Sequence, residues 1–125
     1  MARNDTPRLL KLDRAGLQDA LSRDLLIVVF FAEWCSPCRE FRETLAASAD
    51  ANPDLTYSLV DIERQPKLAA MFGVESVPKI VVLRAGAIVF SHAGALVGEV
   101  LEDVIGQVRA LDVDALRRRA ATSAE

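Results

Sequence analysis

Two cysteines separated by two residues, Cys35 and Cys38, constrain this chain most, because they stand at the junction of two different patterns. Residues 25–32, just before them, are apolar throughout, which is typical of a strand covered on both faces. Residues 41–49, after them, carry apolar side chains at helical spacing. The sequence therefore predicts a buried strand, a tight turn and a helix that begins at the first cysteine.

The start of that helix gives the two thiols different surroundings. Unpaired backbone N–H groups and the positive end of the helix dipole meet there and favour the thiolate of Cys35, which is the nucleophilic form. Cys38 lies one turn further on. The β-carbons of residues three apart in a helix are roughly 5–6 Å apart, so a disulfide can form between Cys35 and Cys38. Pro37 suits a first turn, which needs no N–H from it. We expect Cys35 to be partly exposed and Cys38 to lie deeper.

The spacing predicts a redox pair, in which Cys35 attacks a substrate disulfide and Cys38 resolves the mixed disulfide. Two other interpretations stay open. A structural zinc site needs four ligands, and the chain offers two cysteines and one histidine, His92, far along the sequence, so we expect no metal. The pair is alternatively a redox-inactive remnant, although the retained spacing of both thiols argues against that.

Length and composition bound the class of protein. A chain of 125 residues, 51% hydrophobic and 26% charged, is long enough for one globular domain with a sizeable core. A net charge of −3 gives no electrostatic basis for binding nucleic acid. The longest apolar run is far shorter than the roughly 20 residues of a membrane span, and no secretory segment is visible at the start. We therefore expect a cytoplasmic monomer that does not bind membranes.

The remaining patterns predict an α/β domain. In chain order, the expected elements are a strand at 9–12, a helix at 13–23, a strand at 55–62, a helix at 67–72, a hairpin at 79–84 and 87–91, and an amphipathic helix at 97–111. We expect one domain over residues 9–111, between an N-terminal extension, 1–8, and a C-terminal tail, 112–125. The tail has three consecutive arginines and no sustained apolar period, which indicates a solvated segment.

The motif W-C-S-P-C at residues 34–38 resembles the active-site motif of thioredoxins, with Ser36 where that family usually has glycine. Val77 and Pro78, which open an apolar run, resemble the family's cis-proline segment, which lies across from the cysteines. The resemblance covers about residues 9–111. It implies a thioredoxin fold, an α/β fold whose central mixed sheet of four to five strands is flanked by helices on both faces. It also implies a protein-disulfide reductase without a cofactor.

The same resemblance implies a substrate groove. Its residues would be Trp34, Ser36, Pro37, Val77, Pro78 and Gly94. The backbone of Val77 would pair with an extended substrate, and Gly94 would let the substrate backbone approach closely. Protein disulfides would be the substrates and a thioredoxin-reductase-like protein the electron donor. The alternative function is a binding or chaperone-like module that uses this groove with little redox turnover.

Two interior positions, besides Ser36, depart from the family pattern. Thioredoxins usually carry a buried aspartate six residues before the first cysteine and a lysine paired with it on the next strand. The matching residues here are Val29 and Leu59. Their joint loss is self-consistent, because a lone buried charge is costly. We therefore expect no proton acceptor in the interior beneath Cys38.

Overall fold

A five-stranded sheet with helices on both faces forms the domain in the computed structural model, which describes residues 9–123. The elements, in chain order, are β1 (Leu9–Lys11), α1 (Arg14–Ala20), β2 (Leu25–Phe31), α2 (Ser36–Ala51), β3 (Thr56–Asp61), α3 (Pro66–Met71), β4 (Lys79–Arg84), β5 (Ala87–Ala93), α4 (Gly98–Arg109) and α5 (Val113–Ser123). The strands and the first four helices confirm the elements expected from the sequence. The proposed N-terminal extension, 1–8, lies outside the described residues.

The strand order in the sheet is β1-β3-β2-β4-β5. β1 and β2 pair with β3 in parallel, whereas β4 pairs antiparallel with both β2 and β5. This confirms the expected mixed sheet and gives it five strands. Val29 at the centre of β2 has Leu59 of β3 as its register partner on one side and Ile80 of β4 on the other.

Strand β2 separates two apolar clusters, because all seven of its residues are buried. Its side chains alternate between the two faces of the sheet. Leu25, Ile27, Val29 and Phe31 join the cluster that contains Cys35, Cys38 and the inner residues of α2 and α4. Leu26, Val28 and Phe30 join the cluster that contains Leu17 of α1 and Leu68 of α3. The apolar run before the cysteines therefore contributes side chains to both apolar clusters.

The C-terminal end of α4 is fixed to the sheet by two arginines. Arg84 of β4 donates to the carbonyl oxygens of Val108 and Arg109, at 2.6 and 3.2 Å, in the last turn of the helix, where carbonyl groups run out of helical partners. Arg109 in turn donates to both carboxylate oxygens of Asp54, at 2.8 and 3.1 Å. These hydrogen bonds hold the pKa of Asp54 below its usual value. These hydrogen bonds of Arg84 and Arg109 hold α4 in place over β4. The N-terminal end of α4 is directed to the loop after β5.

The start of α4 differs from the sequence-based expectation. The apolar period from Val97 to Leu111 predicted one buried face, and Leu101 and the apolar residues one to two turns further are indeed buried. Val97 and Val100, however, are exposed, and so is Leu111. The helix begins only at Gly98, so its first turn projects past the edge of the core and leaves these two valines uncovered.

Helix α5 occupies most of the segment 112–125, for which a solvated tail was expected. No helix was expected in this tail, whereas residues 113–123 are helical. The carboxylate of Asp112 accepts the N–H of Ala115 at 3.2 Å, as an N-cap does, and alanine, leucine and arginine favour helix. The arginines at 117–119 are exposed, as expected. No helix in the described part of the chain is long and apolar enough to cross a membrane.

Val29→Asp is expected to lower the free energy of unfolding by about 3–5 kcal/mol, because its carboxylate would be buried without a partner. Adding Leu59→Lys should recover part of this loss, since the two positions are register partners. The wild type should still be more stable than the double variant by ~1–4 kcal/mol, because a buried ion pair often fails to offset its desolvation.

Urea unfolding of the wild type and all three variants at neutral pH measures these differences. The Leu59→Lys single variant is the matched control for the second charge. A double variant more stable than the wild type, or no better than Val29→Asp alone, would contradict this account of the interior.

Candidate active site

Helix α2 begins directly after Cys35, which is its N-cap residue. The Cys35 backbone is extended, and its Sγ accepts the backbone N–H of Cys38 at 3.1 Å. An oxygen of serine, threonine, aspartate or asparagine usually accepts this bond, and here a sulfur takes its place. Ser36 and Pro37 form the exposed first turn, where the missing N–H of proline costs nothing. The helix start expected from the sequence is confirmed, and it aims an N–H donor at the Cys35 sulfur.

Cys35 and Cys38 form a disulfide, with their Cα atoms 5.2 Å apart. Their exposed fractions are 4% and 6%, so the expectation that Cys35 lies shallower than Cys38 is wrong for this state. Each sulfur covers the other, and both residues pack within the apolar cluster over β2. The difference between the two thiols is therefore one of position on the helix rather than of burial.

The residues just before the cysteines are fixed by polar contacts from three directions. The indole of Trp34 is 64% exposed, and its Nε1 donates to a carboxylate oxygen of Glu63 at 2.7 Å. The backbone oxygen of Glu33 accepts from Arg39 at 3.0 Å, and its carboxylate lies 3.8 Å from Lys11. Trp34 is thus a surface side chain held in place, not a core residue. No sequence pattern indicates its contact with Glu63, 29 positions later.

Two loops distant in sequence meet beside the cysteines. The Val77–Pro78 peptide bond is cis, as expected, and the carbonyl oxygen of Pro78 accepts the N–H of Gly94 at 2.7 Å. Gly94 has φ of +109°, a conformation that other residues rarely adopt. Val77 packs against the apolar cluster that contains both cysteines. Its own backbone N–H and C=O have no hydrogen-bond partner among residues 9–123, so they are available to a bound chain.

The interior on the cysteine side of the sheet is apolar where the family usually has charge. Val29 and Leu59 are both buried and are register partners. The buried polar side chains in the described part of the chain are Ser48, Ser58 and Asp61. Both serines are hydrogen-bonded, and the carboxylate of Asp61 accepts backbone N–H groups of the turn that follows β3.

A polar cavity of about 490 Å³ lies at the carboxyl ends of β1 and β3, next to the loop that leads to the cysteines. It is lined by Lys11, Leu12, Asp13, Glu33, Leu59, Asp61, Arg64 and Gln65. Its charges are largely paired, Lys11 with Glu33 and Arg64 with Asp61, each at 3.8 Å. The cavity therefore lies beside the active-site loop and is lined by paired charges. No sequence pattern predicted it.

Comparison with known proteins identifies the family of this site. A family model described as thioredoxin matches residues 9–107. The Streptomyces coelicolor protein assigned as thioredoxin 2 is 42% identical over 104 residues, which are 83% of this chain and 78% of that protein. A thioredoxin of Chlamydia muridarum is 38% identical over 68 residues, which are 54% of this chain and 67% of that protein.

Solved structures show the same likeness. A thioredoxin variant from Halobacterium salinarum superimposes with a TM-score of 0.78 at 26% identity, covering 90% of this chain and 98% of that one. Chloroplastic thioredoxin z superimposes with a TM-score of 0.76 at 28% identity, covering 82% of this chain and 96% of that one. The thioredoxin fold expected from the sequence is confirmed. With its two cysteines joined at the start of α2 and this set of relatives, the chain belongs to the thioredoxin family and is a thiol–disulfide oxidoreductase.

Proposed function

We propose that this oxidoreductase reduces disulfides of protein substrates, with Cys35 as the nucleophile and Cys38 as the resolving cysteine. The Cys35 thiolate attacks one substrate sulfur, the substrate disulfide breaks, and the other substrate sulfur leaves as a thiolate. Cys38, as a thiolate, then attacks Cys35. This forms the Cys35–Cys38 disulfide and releases the second substrate sulfur, so two electrons pass from the protein to the substrate.

The observation that carries this assignment is the N–H of Cys38 directed at the Cys35 sulfur at 3.1 Å. A hydrogen-bond donor and the positive end of the helix dipole both stabilise a negative charge on that sulfur. Cys38 is the third residue of the helix, and its sulfur accepts no hydrogen bond from residues 9–123. Cys35 is therefore the thiol better able to exist as a thiolate in the reduced protein.

The surface beside the cysteines supports a substrate groove made of Trp34, Ser36, Pro37, Val77, Pro78 and Gly94. Trp34, Ser36 and Pro37 are exposed around the disulfide. The unpaired backbone of Val77 can bond an extended substrate strand, the usual way for a chain to add to a free backbone edge. Gly94 offers no side chain to obstruct that strand.

The electron donor we propose is a thioredoxin-reductase-like protein, and the compartment is the cytoplasm. Membership of the thioredoxin family supports the donor, because a reductant must restore the dithiol after each turnover. A pair of cysteines in redox spacing suits a reducing compartment. A binding or chaperone-like role with little turnover is the competing function, and the apolar Val29–Leu59 pair is the observation that favours it, because it provides no base near Cys38.

Reduction of insulin disulfides tests the proposal. The wild type with dithiothreitol as electron source should reduce insulin at least about tenfold faster than dithiothreitol alone, and Cys35→Ser should abolish the gain, because the nucleophile is lost. Cys38→Ser, the matched control, should form a mixed disulfide with insulin and stall. A wild type no faster than Cys35→Ser would support the binding module instead.

The roles of the two thiols predict different rates of alkylation. In the fully reduced protein at neutral pH, iodoacetamide should label Cys35 about tenfold or more faster than Cys38, because only the former caps the helix. Mass spectrometry after brief treatment locates the label. Predominant label on Cys38 would reverse the assigned roles.

The apolar interior predicts slow resolution of the mixed disulfide. Without a base near Cys38, its proton must pass to water or to the leaving thiolate. A Val29→Asp, Leu59→Lys double variant should resolve a trapped mixed disulfide about tenfold faster. A well-positioned general base typically contributes roughly 10²–10⁴-fold, and we expect an introduced one to be less well positioned. Stopped-flow decay of the adduct measures the rate, with Leu59→Lys alone as the control. Equal rates for the wild type and the double variant would show that the apolar pair does not limit this step.

A further inference from the structure

We propose that Val97 and Val100, at the start of α4, extend the substrate groove and bind an apolar side chain of the substrate that is followed by a basic one. This proposal rests on the proposed function and defines the class of protein substrate. It concerns residues outside the groove described above.

The two valines form an exposed apolar surface that the fold does not need. Val97 is 67% exposed and Val100 is 44% exposed, whereas the apolar residues that hold α4 on the core begin at Leu101. Side chains three residues apart near a helix start lie on one side of it, so the two valines form one patch. Neither valine belongs to the buried core, and the patch leaves apolar area in water.

Val97 is also an unfavourable residue at its own position. It is the N-cap of α4, and no side chain accepts a hydrogen bond from the first turn. Valine is among the poorest N-cap residues, and serine, threonine, aspartate and asparagine are the best. A residue that weakens a helix and stays mostly exposed is expected where it serves a binding surface instead.

The patch lies a short distance along the chain from the groove. Gly94, whose N–H binds the Pro78 carbonyl, is three residues before Val97, and three residues span at most about 11 Å. A substrate strand that passes Val77 and Gly94 advances about 3.3 Å per residue. A side chain only a few residues from the reacting half-cystine can therefore reach the valine patch.

The charges around the patch favour a basic substrate segment over a second copy of this chain. Glu99 lies between the two valines in sequence and Asp103 lies one turn beyond them, both exposed. Neither forms an ion pair with a described residue. In a symmetric dimer formed through this patch, the patch of one chain would face the same patch of the other. The carboxylates of Glu99 and Asp103 on the two chains would then lie close together and repel one another. A basic side chain on a substrate would meet them favourably.

The test uses symmetric disulfides of nonapeptides with a central cysteine and otherwise glycine and serine. A Leu–Arg pair is moved through the remaining positions, and hydroxyethyl disulfide serves as a substrate too small to reach the patch. We expect one placement of the pair to raise kcat/KM by about fivefold or more over the peptide without it, because a leucine side chain then leaves water. Higher salt should reduce part of the gain, since the arginine contact is exposed.

Val97→Ser and the Val97→Ser, Val100→Gln double variant should lose that gain and reduce hydroxyethyl disulfide at the wild-type rate. Val97→Ser should also raise the urea midpoint, because serine caps the helix better. Ile88→Ser is the matched control, since Ile88 is 57% exposed at the other end of β5 and its loss should leave the gain unchanged.

The outcomes separate this proposal from the proposed function. Equal kcat/KM for all peptides, or a gain retained in the double variant, would overturn the valine patch as a substrate site while reduction itself stands. A wild type that reduces none of these disulfides would overturn both. A wild-type dimer in analytical ultracentrifugation that Val97→Ser dissociates would assign the patch to a second copy and overturn the substrate proposal.

Discussion

Burial of β2 on both of its faces is the constraint on which the rest of the structure depends. Its seven residues contribute side chains in turn to the cluster under α2 and α4 and to the cluster under α1 and α3. Both layers of helices are therefore held by one strand. Because β2 ends at Phe31, only four residues before Cys35, α2 must start where its inner face can pack on the same cluster. The position of Cys35 thus follows from the packing of the strand that precedes it.

Much of this arrangement was predictable from local sequence, because the signals were strong and close together. The apolar run 25–32, the proline at 37 and the C-x-x-C spacing each indicate the same strand, turn and helix, so they reinforce one another. The cis bond at Pro78 and the place of Gly94 were predicted from resemblance rather than from local physics. The structure adds the contact between them, a hydrogen bond from the Gly94 amide to the Pro78 carbonyl.

What sequence reasoning missed depends on contacts between distant residues or on where the core ends. The bond between Trp34 and Glu63 joins two segments through the tertiary fold, and no periodicity reports it. The apolar period at 97–111 shows which side of a helix is apolar, but not how far the neighbouring layer extends beneath it. Helix α5 lies beyond residue 107, where the match to the family model ends, and its short apolar period was too weak to indicate a helix.

Apolar residues stand where a polar residue would be expected both at Val29 and Leu59 and at Val97. Whether the side chain is buried decides which physical reason explains it. Val29 and Leu59 are buried register partners, so an apolar pair there avoids the desolvation of an ion pair, and stability alone accounts for it. Val97 is exposed and caps a helix poorly, so stability argues against it. Valine is thus explained by the interior at position 29, whereas at position 97 we propose that an external partner explains it. In that proposal, the short distance in sequence from Gly94 puts the partner on the substrate side of the molecule. The carboxylates of Glu99 and Asp103, which form no ion pair with a described residue, favour a basic partner.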